Sequence, residues 1–408
     1  MFNLERFISQ FVTKREQSMF AVDIDANKDA LHCEICGKRA CVIGGAGSIG
    51  SSFIKELLRF EPKQLIVVDL NENGLTELTR DLRSSTYTKV PEDYRTYTLD
   101  FASPIFERIF REEQGFDIIA NFSAHKHVRS ERDKYSVEAL IENNDIKAKK
   151  LMDRMMEYKP SHFFCVSTDK AANPVNIMGA SKRILEDLIM AYSGEFNITT
   201  ARFANVAFSN GSLPDGWMHR LQKRQPLAAP NDVKRYFVSL EESGQICLLA
   251  CVLGKSGEIF FPKLEEEQMM RFSDICDSFV KENGLHKVAF FSDEDAKRFA
   301  SKNIRDCKLE IGDCDYPVVY TGSNTTGEKA YEEFFTKSEN LNMNRFQSLG
   351  VIEKTTRRSK KDVMALLEEL ESIFAEPNYT KADVVKAIER FLPNFKHEET
   401  GMNLDQKM

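Results

Sequence analysis

Ala40-Cys41-Val42-Ile43-Gly44-Gly45-Ala46-Gly47-Ser48-Ile49-Gly50 is the stretch whose reading decides the fold. Ala40 to Ile43 is a short apolar run that reads as a buried strand, and a helix is expected to start near Ser48. Between them, Gly44 allows a tight turn, Gly47 lets the backbone approach a pyrophosphate, and Gly50 lets the helix pack closely on the strand. Ser48 and Ile49 open the helix, where free N–H groups and the positive end of the helix dipole favour phosphate. The loop therefore predicts a bound dinucleotide.

Working outward, the next apolar run, Leu65 to Val68, ends at Asp69. A carboxylate there accepts hydrogen bonds from both ribose hydroxyls and repels a 2′-phosphate, which favours NAD over NADP. No arginine follows directly in Leu70-Asn71-Glu72. Asp100, read as ending the third strand, is placed to hold the adenine amino group. The plainer reading of both aspartates is a helix cap or a turn.

Further apolar runs lie at Tyr94 to Leu99, Phe116 to Phe122, His162 to Ser167 and Ile198 to Phe203. Helical stretches separate them, including Ser51 to Phe60, Gly74 to Ser84, Glu131 to Tyr158 and Ala180 to Tyr192. This alternation predicts an α/β, Rossmann-type doubly wound parallel sheet. The pattern weakens after about residue 205. Ser359 to Phe395 reads as two charged amphipathic helices divided near Glu376-Pro377-Asn378. Phe2, Leu4, Phe7, Ile8, Phe11 and Val12 recur at helical spacing, as in an amphipathic helix packing on the body or on another subunit. The expected division is an N-terminal helical extension (1–38), a dinucleotide-binding domain to which later segments return (39–205), a smaller substrate-binding region (206–335) and a helical C-terminal extension (336–408).

The 408 residues, 42% hydrophobic and 29% charged, suit a folded protein of this size. A formal charge of -7 offers no basic footprint for nucleic acid. No apolar run reaches the ~18 residues that span a bilayer. The N-terminus has no basic region leading into an apolar one, so a cytoplasmic location is expected. Of the nine cysteines, only Cys33 and Cys36 stand in C-x-x-C spacing, with Cys41 and His32 nearby. A second ligand pair is missing, so no metal is expected and the cysteines read as small buried hydrophobes.

The fifth strand runs into Ser167-Thr168-Asp169-Lys170. Carboxyl ends of parallel strands face the ligand crevice, so a hydroxyl, an acid and an amine enter it from one segment. A helix beginning near Met178 would put Lys182 one turn along the same face. Solvated surface lysines are the plain alternative for Lys170 and Lys182.

These residues carry a family resemblance. The G-x-x-G-x-x-G spacing is similar to that of short-chain dehydrogenases/reductases, which pair a tyrosine with a lysine four residues on; here that pair reads Met178 and Lys182. Ser167 to Arg183 (STDKAANPVNIMGASKR) resembles the signature of the CapD-like UDP-N-acetylglucosamine 4,6-dehydratases, in the branch with methionine for tyrosine. That branch is usually membrane-anchored, so this chain reads as a soluble member or a truncated relative. Phe122-Ser123-Ala124-His125-Lys126-His127-Val128 is similar to another family segment, as is Arg202-Phe203-Ala204-Asn205-Val206 with Ser209-Asn210-Gly211-Ser212, although Ala204 replaces the usual glycine. Lys234-Arg235-Tyr236-Phe237 and Gly327-Glu328-Lys329 with Glu332-Glu333 extend the likeness to about residue 335. Pro214-Asp215-Gly216-Trp217 and the elaborated stretch 284–317 depart from it.

The resemblance implies conversion of UDP-N-acetylglucosamine to a 4-keto-6-deoxy sugar in bacterial glycan synthesis, with NAD tightly held and recycled. Oxidation at C4 acidifies the C5 proton, water leaves across C5 and C6, and the hydride returns to C6. It implies Asp169 as acid, Lys170 as base, and Thr168 with Lys182 acting on the C4 hydroxyl, while Met178 cannot exchange protons. Asp169 must then be held protonated, and Lys170 needs burial or neighbouring cations to lower its proton affinity. The retained C5 configuration belongs to the same implication. Ser123 and Ala124 line the cofactor, and Lys126, His127, Asn205, Ser209, Arg235 and Glu328 line the UDP-sugar. A homo-oligomer is expected. A nucleotide-sugar 4-epimerase or oxidoreductase would share the loop but not need the Asp169-Lys170 pair. A catalytically inactive NAD-binding scaffold would explain the missing tyrosine.

Overall fold

A computed structural model describes residues 2–127, 131–304, 314–322, 332–353 and 358–397. Six strands alternate with helices in the first half: β1 (Arg39–Ile43), β2 (Gln64–Asp69), β3 (Asp93–Thr98), β4 (Ile118–Asn121), β5 (His162–Val166) and β6 (Ile198–Ala201). Then come β7 (Asn205–Val206), β8 (Leu227–Pro230), β9 (Lys234–Arg235), β10 (Phe237–Val238), β11 (Ile259–Pro262), β12 (Met270–Arg271), β13 (Leu285–Phe290), β14 (Cys314–Thr321), β15 (Leu341–Asn342) and β16 (Leu349–Ile352).

The main sheet has the order β15-β16-β11-β6-β5-β4-β1-β2-β3. Its strands are parallel from β3 to β11, and β16 and β15 add an antiparallel edge. The doubly wound α/β expectation holds. The order reverses direction beside β1 and β4, and such a switch point opens a crevice at the carboxyl ends of the strands. Strands such as β1 and β5 are apolar on both faces because helices cover both.

In chain order the helices are α1 (Leu4–Phe7), α2 (Ala21–Ala26), α3 (Lys28–Ile35), α4 (Ser48–Leu58), α5 (Glu72–Ser84), α6 (Pro104–Glu112), α7 (Lys134–Ile141), α8 (Lys147–Met155), α9 (Ile177–Tyr192), α10 (Leu213–Gln222), α11 (Leu240–Leu253), α12 (Phe272–Glu282), α13 (Asp293–Asn303), α14 (Lys360–Ala375) and α15 (Lys381–Phe391). One face of the sheet packs on α3, α4 and α11, and the other on α6 to α9 with α14 and α15. The two C-terminal helices stand as expected, each started by a capping box, Ser359 with Asp362 and Thr380 with Asp383.

Three expectations about local structure are corrected. The N-terminal segment is not one helix: α1 runs into a π-turn, Ile8–Val12, and α2 and α3 follow. Phe7, Ile8 and Val12 pack with Phe208, Trp217 and Phe279, so this segment completes a second core on the body. Glu131 to Tyr158 is likewise interrupted, by a π-turn at Glu142–Ile146 between α7 and α8. Asp100 lies two residues past β3, which ends at Thr98, because Leu99 already bonds back to the Asp69 carbonyl.

Within the elaborated stretch 284–317, β13, α13 and the start of β14 build part of the small lobe. There β13, β14 and β8 form a parallel three-stranded sheet. None of the described helices is long and apolar enough to cross a membrane.

Candidate active site

The glycine loop leaves β1 with Gly44 at φ +72°, a conformation open to glycine at little cost. A Cβ on Gly50 would lie 2.3 Å from the Gly44 carbonyl oxygen, so α4 starts against the turn itself. Gly47 caps α4 without any side-chain hydrogen bond, which leaves the first-turn amides open at the end of the helix. That cradle fits a pyrophosphate.

Asp69 is partly what its plainer reading says. One carboxylate oxygen accepts the Ala46 amide at 3.0 Å and the other the Asn71 amide at 2.9 Å, so the side chain braces the loop. Each oxygen keeps a second lone pair for a ribose hydroxyl. Asp100 is engaged more fully: it accepts the Ala102 amide at 2.8 Å and pairs with Lys147. Burial raises its pKa, but Lys147 and the amide outweigh that and hold it below the ordinary range.

Past β4, Asn121 accepts the Ser123 amide at 3.0 Å and Ser123 donates to Asn143 at 3.3 Å. Ala124 packs at the margin of the core. Lys126 reaches the Asn210 carbonyl at 2.9 Å, and the Asn210 amide donates to Ser48 of α4 at 2.8 Å. Segments expected to hold sugar and cofactor thus meet at the mouth of the glycine loop. Burial pushes the Lys126 amine down, with Asp215 of α10 pulling the other way. His127 lies beside Gly211, whose Cβ would stand 3.2 Å from its Nε2. Ser209 is buried in the turn after β7, and Asn205 is held by the β7–β10 pair. Glu328 lies outside the described residues.

At the end of β5, Thr168, Asp169 and Lys170 form one cluster. Asp169 Oδ1 accepts from Thr168 Oγ1 at 2.7 Å, from the Lys170 amide at 2.9 Å and from Lys170 Nζ at 3.1 Å. Lys170 Nζ also lies 3.8 Å from Glu332, and Arg235 stands 4.0 Å from the same carboxylate oxygen. Burial would lower the Lys170 pKa, but Asp169 and Glu332 together raise it above the ordinary lysine value. The expected charge states are therefore corrected. Three donors converge on Asp169 as on a carboxylate, and Lys170 is an ammonium, because Asp169 and Glu332 outweigh both burial and the nearby Arg235.

The first turn of α9 sits on this cluster: a Cβ on Gly179 would meet the Lys170 carbonyl at 2.8 Å. Asn176 caps the helix, and the Met178 amide donates to Glu131 at 2.9 Å. The Met178 side chain is buried in the core. Lys182 is no surface lysine. It is 3% exposed, donates to the Val166 carbonyl at 3.2 Å, and burial pushes its pKa down to about 8.

Several site residues escaped the sequence reading. Glu332 was quoted within a motif but passed over for Glu328. Asn144 accepts the His125 amide at 2.8 Å and donates to the His125 carbonyl at 3.0 Å and to Ser181 at 3.1 Å. Asn143-Asn144-Asp145, three poor helix formers together, was the available signal. His32, Cys36 and Glu61 offer ligand atoms within 4.8 Å of one another on the surface, apart from this crevice. Cys33 and Cys36 are exposed, whereas Cys41, Cys165, Cys247, Cys251, Cys276 and Cys314 are buried, as small hydrophobes.

Residues 40–354 match a protein family described as polysaccharide biosynthesis protein. The chain is 30% identical over 321 residues to an uncharacterized membrane protein of Methanocaldococcus jannaschii, covering 77% of this chain and 85% of that one. It is 24% identical over 327 residues to a UDP-N-acetylglucosamine 4,6-dehydratase (inverting) of Campylobacter jejuni, covering 74% and 93%. It is 26% identical over 318 residues to the capsular polysaccharide biosynthesis protein CapD of Staphylococcus aureus, covering 75% of this chain but only 46% of that protein's length. Among solved structures, Pen from Bacillus thuringiensis superposes with a TM-score of 0.63 at 20% identity, covering 88% and 98%.

Proposed function

The chain belongs to the polysaccharide biosynthesis protein family that its residues 40–354 match, and from that footing we propose that it is an NAD-dependent nucleotide-sugar 4,6-dehydratase acting on UDP-N-acetylglucosamine. One observation carries the reading: an acid and an amine, Asp169 and Lys170, hydrogen-bonded at 3.1 Å at a strand end that also presents Thr168. A 4-epimerase needs only a proton acceptor for the C4 hydroxyl; elimination of water needs a second acid and base.

NAD held in the glycine cradle would supply the acceptor for the C4 hydride and return that hydride at C6. The rest falls to the chain's own residues. Thr168 orients the C4 hydroxyl, and Lys182, with its lowered proton affinity, takes the hydroxyl proton. With C4 oxidised, the C5 proton is acidic. Lys170 begins as ammonium and Asp169 as carboxylate, so one proton must first pass along their hydrogen bond. Neutral Lys170 then removes the C5 proton, protonated Asp169 gives its proton to the departing C6 hydroxyl, which leaves as water, and Lys170 gives its proton back to C5 as the hydride returns to C6. Glu332 and Arg235 adjust the charge around this pair, and Arg235 is placed for a substrate phosphate.

The test is incubation of the NAD-loaded protein with UDP-N-acetylglucosamine, followed by mass spectrometry and NMR. Loss of one water with a 4-keto-6-deoxy product is expected. A product of unchanged mass with inverted C4 would make the protein an epimerase. Lys170→Ala should cut turnover by about a hundredfold or more while NAD stays bound; near-normal turnover would remove Lys170 from the mechanism.

A further inference from the structure

Asp145 has no role in the chemistry described so far, yet it is among the least comfortable residues in the molecule. Its exposure is 0%, and neither carboxyl oxygen has a hydrogen-bond partner. A carboxyl buried in this way costs stability, and apolar residues of similar size fill such places without the cost. It sits in the π-turn Glu142–Ile146, and such single-turn insertions gather at functional sites. Its neighbour Asn144 ties that turn to Ser181 of α9 and to the His125 backbone, so the turn is docked on the helix that carries Lys182. Burial raises the Asp145 pKa well above the ordinary carboxyl value and lowers that of Lys182, and the charge of each group draws the other's back.

We infer that Asp145 is a positioning residue that acts through Lys182, its buried carboxylate balancing the ammonium formed when Lys182 takes the proton of the substrate's C4 hydroxyl. In that step the O–H bond breaks and an N–H bond forms on the neutral Lys182 amine. The C4–H electron pair leaves with its hydrogen as hydride to the oxidised dinucleotide, and C4 becomes a ketone. Without a nearby anion, the new ammonium would be stranded in a site closed to water. Met178, where the resemblance would place a tyrosine, cannot share the proton. The identity of the hydroxyl rests on the dehydratase reading; the coupling of Asp145 to Lys182 does not.

Other charges face the pair. Lys182 also faces Glu186 of α9, which favours its ammonium, and the Cys165 thiol of β5. His125 meets Lys182 and Lys147, and burial and both lysines lower its pKa. Burial pushes Cys165 up to about 12, so it stays a neutral thiol. Lys147 is paired with Asp100. Among the described groups, Asp145 and Glu186 are the acids facing Lys182, and Glu186 is committed to Arg202.

The test compares wild type with Asp145→Asn, which keeps the shape and removes the charge. In single turnovers of the NAD-loaded protein, followed by absorbance of the reduced nicotinamide, the pH midpoint of hydride transfer should fall by about one unit, and its plateau rate about tenfold. The variant's Tm should stay near wild type, because an unpartnered amide replaces an unpartnered carboxyl. A structural role would instead lower Tm and leave the midpoint in place. Infrared spectroscopy of the protein without substrate reads the pair directly, the acid carbonyl band of Asp145 being the one lost in Asp145→Asn. In Lys182→Met that band should persist to higher pH than in wild type. A band indifferent to Lys182→Met, or an unmoved midpoint, overturns the inference. If no variant oxidises the nucleotide sugar, the dehydratase reading has failed while the infrared comparison still decides the pair.

Discussion

At Gly44 and Gly50 the loop has no space for a methyl group, and at Gly47 it has. A Cβ at Gly50 would be 2.3 Å from a backbone oxygen, whereas at Gly47 the nearest protein atom is 3.4 Å away. Gly50→Ala should therefore lower Tm and damage the fold. Gly47→Ala should melt near wild type but be purified without NAD, because its methyl group would intrude on the cradle proposed to hold the pyrophosphate. Thermal melting and the cofactor content of the purified variants separate the two. Lys182 allows a second residue-scale prediction. Its folded pKa, about 8, lies below the ordinary 10.5. Between those values the unfolded chain binds more protons, so stability rises with pH across the window; below about 8 the lysine is a full cost. The depression corresponds to about 3 kcal/mol. Lys182→Met should lose this pH dependence, seen as a flatter change in urea midpoint from pH 7 to pH 10 than wild type shows. The glycine spacing and the Thr168-Asp169-Lys170 run were legible because each occupies a few consecutive residues. The charge on Lys170 was not, since Glu332 reaches it from far along the chain.

Among the elements, the N-terminal segment changes most between pattern and structure. Its apolar spacing correctly signals a buried face, but α1 and the following π-turn are too short to be stable alone. They persist because Phe7 packs edge-on to Phe208 and Phe279, with ring centroids 5.8 and 5.9 Å away. Trp217, the single tryptophan of the chain, lies in the same cluster. Phe7→Ala should cost about 3–5 kcal/mol, and Trp217 fluorescence during urea unfolding reports it. A wild-type midpoint would mean the segment merely covers the lobe. The π-turn in the Glu131 to Tyr158 stretch marks the other limit of periodicity. An inserted residue shifts the helical repeat by a single position, too little to read in helices of eight and nine residues, so only composition hinted at the interruption, and nothing local told that Asp145 would face Lys182.

For the whole molecule, Arg202 at the end of β6 is the tie. It is fully buried and holds Glu186 through two bonds at 2.7 and 2.6 Å, Glu339 through two at 2.9 Å, and the Phe334 carbonyl at 2.9 Å. Glu186 in turn accepts from Ser167 at 2.8 Å, one residue before Thr168. The late segment that brings Glu332 is thus anchored to the strand end that brings Lys170. Arg202→Met would leave Arg183, 3.7 Å from Glu186 and 3.4 Å from Glu339, as the cation facing both carboxylates, and a loss of about 3–5 kcal/mol is expected in the denaturant midpoint. Turnover should fall further than the folded fraction, because Ser167 and Glu332 lose their anchor. By itself the sequence determined the doubly wound sheet, the glycine cradle and the strand end that carries Thr168, Asp169 and Lys170, because periodicity and turn chemistry act over a few residues. Only the tertiary structure decided which of those residues are charged, what buries Lys182, where Asp100 finds its partner and that Asp145 is buried without one. Proton affinity depends on every charge within several ångströms, and folding gathers those charges from positions as distant as 170 and 332.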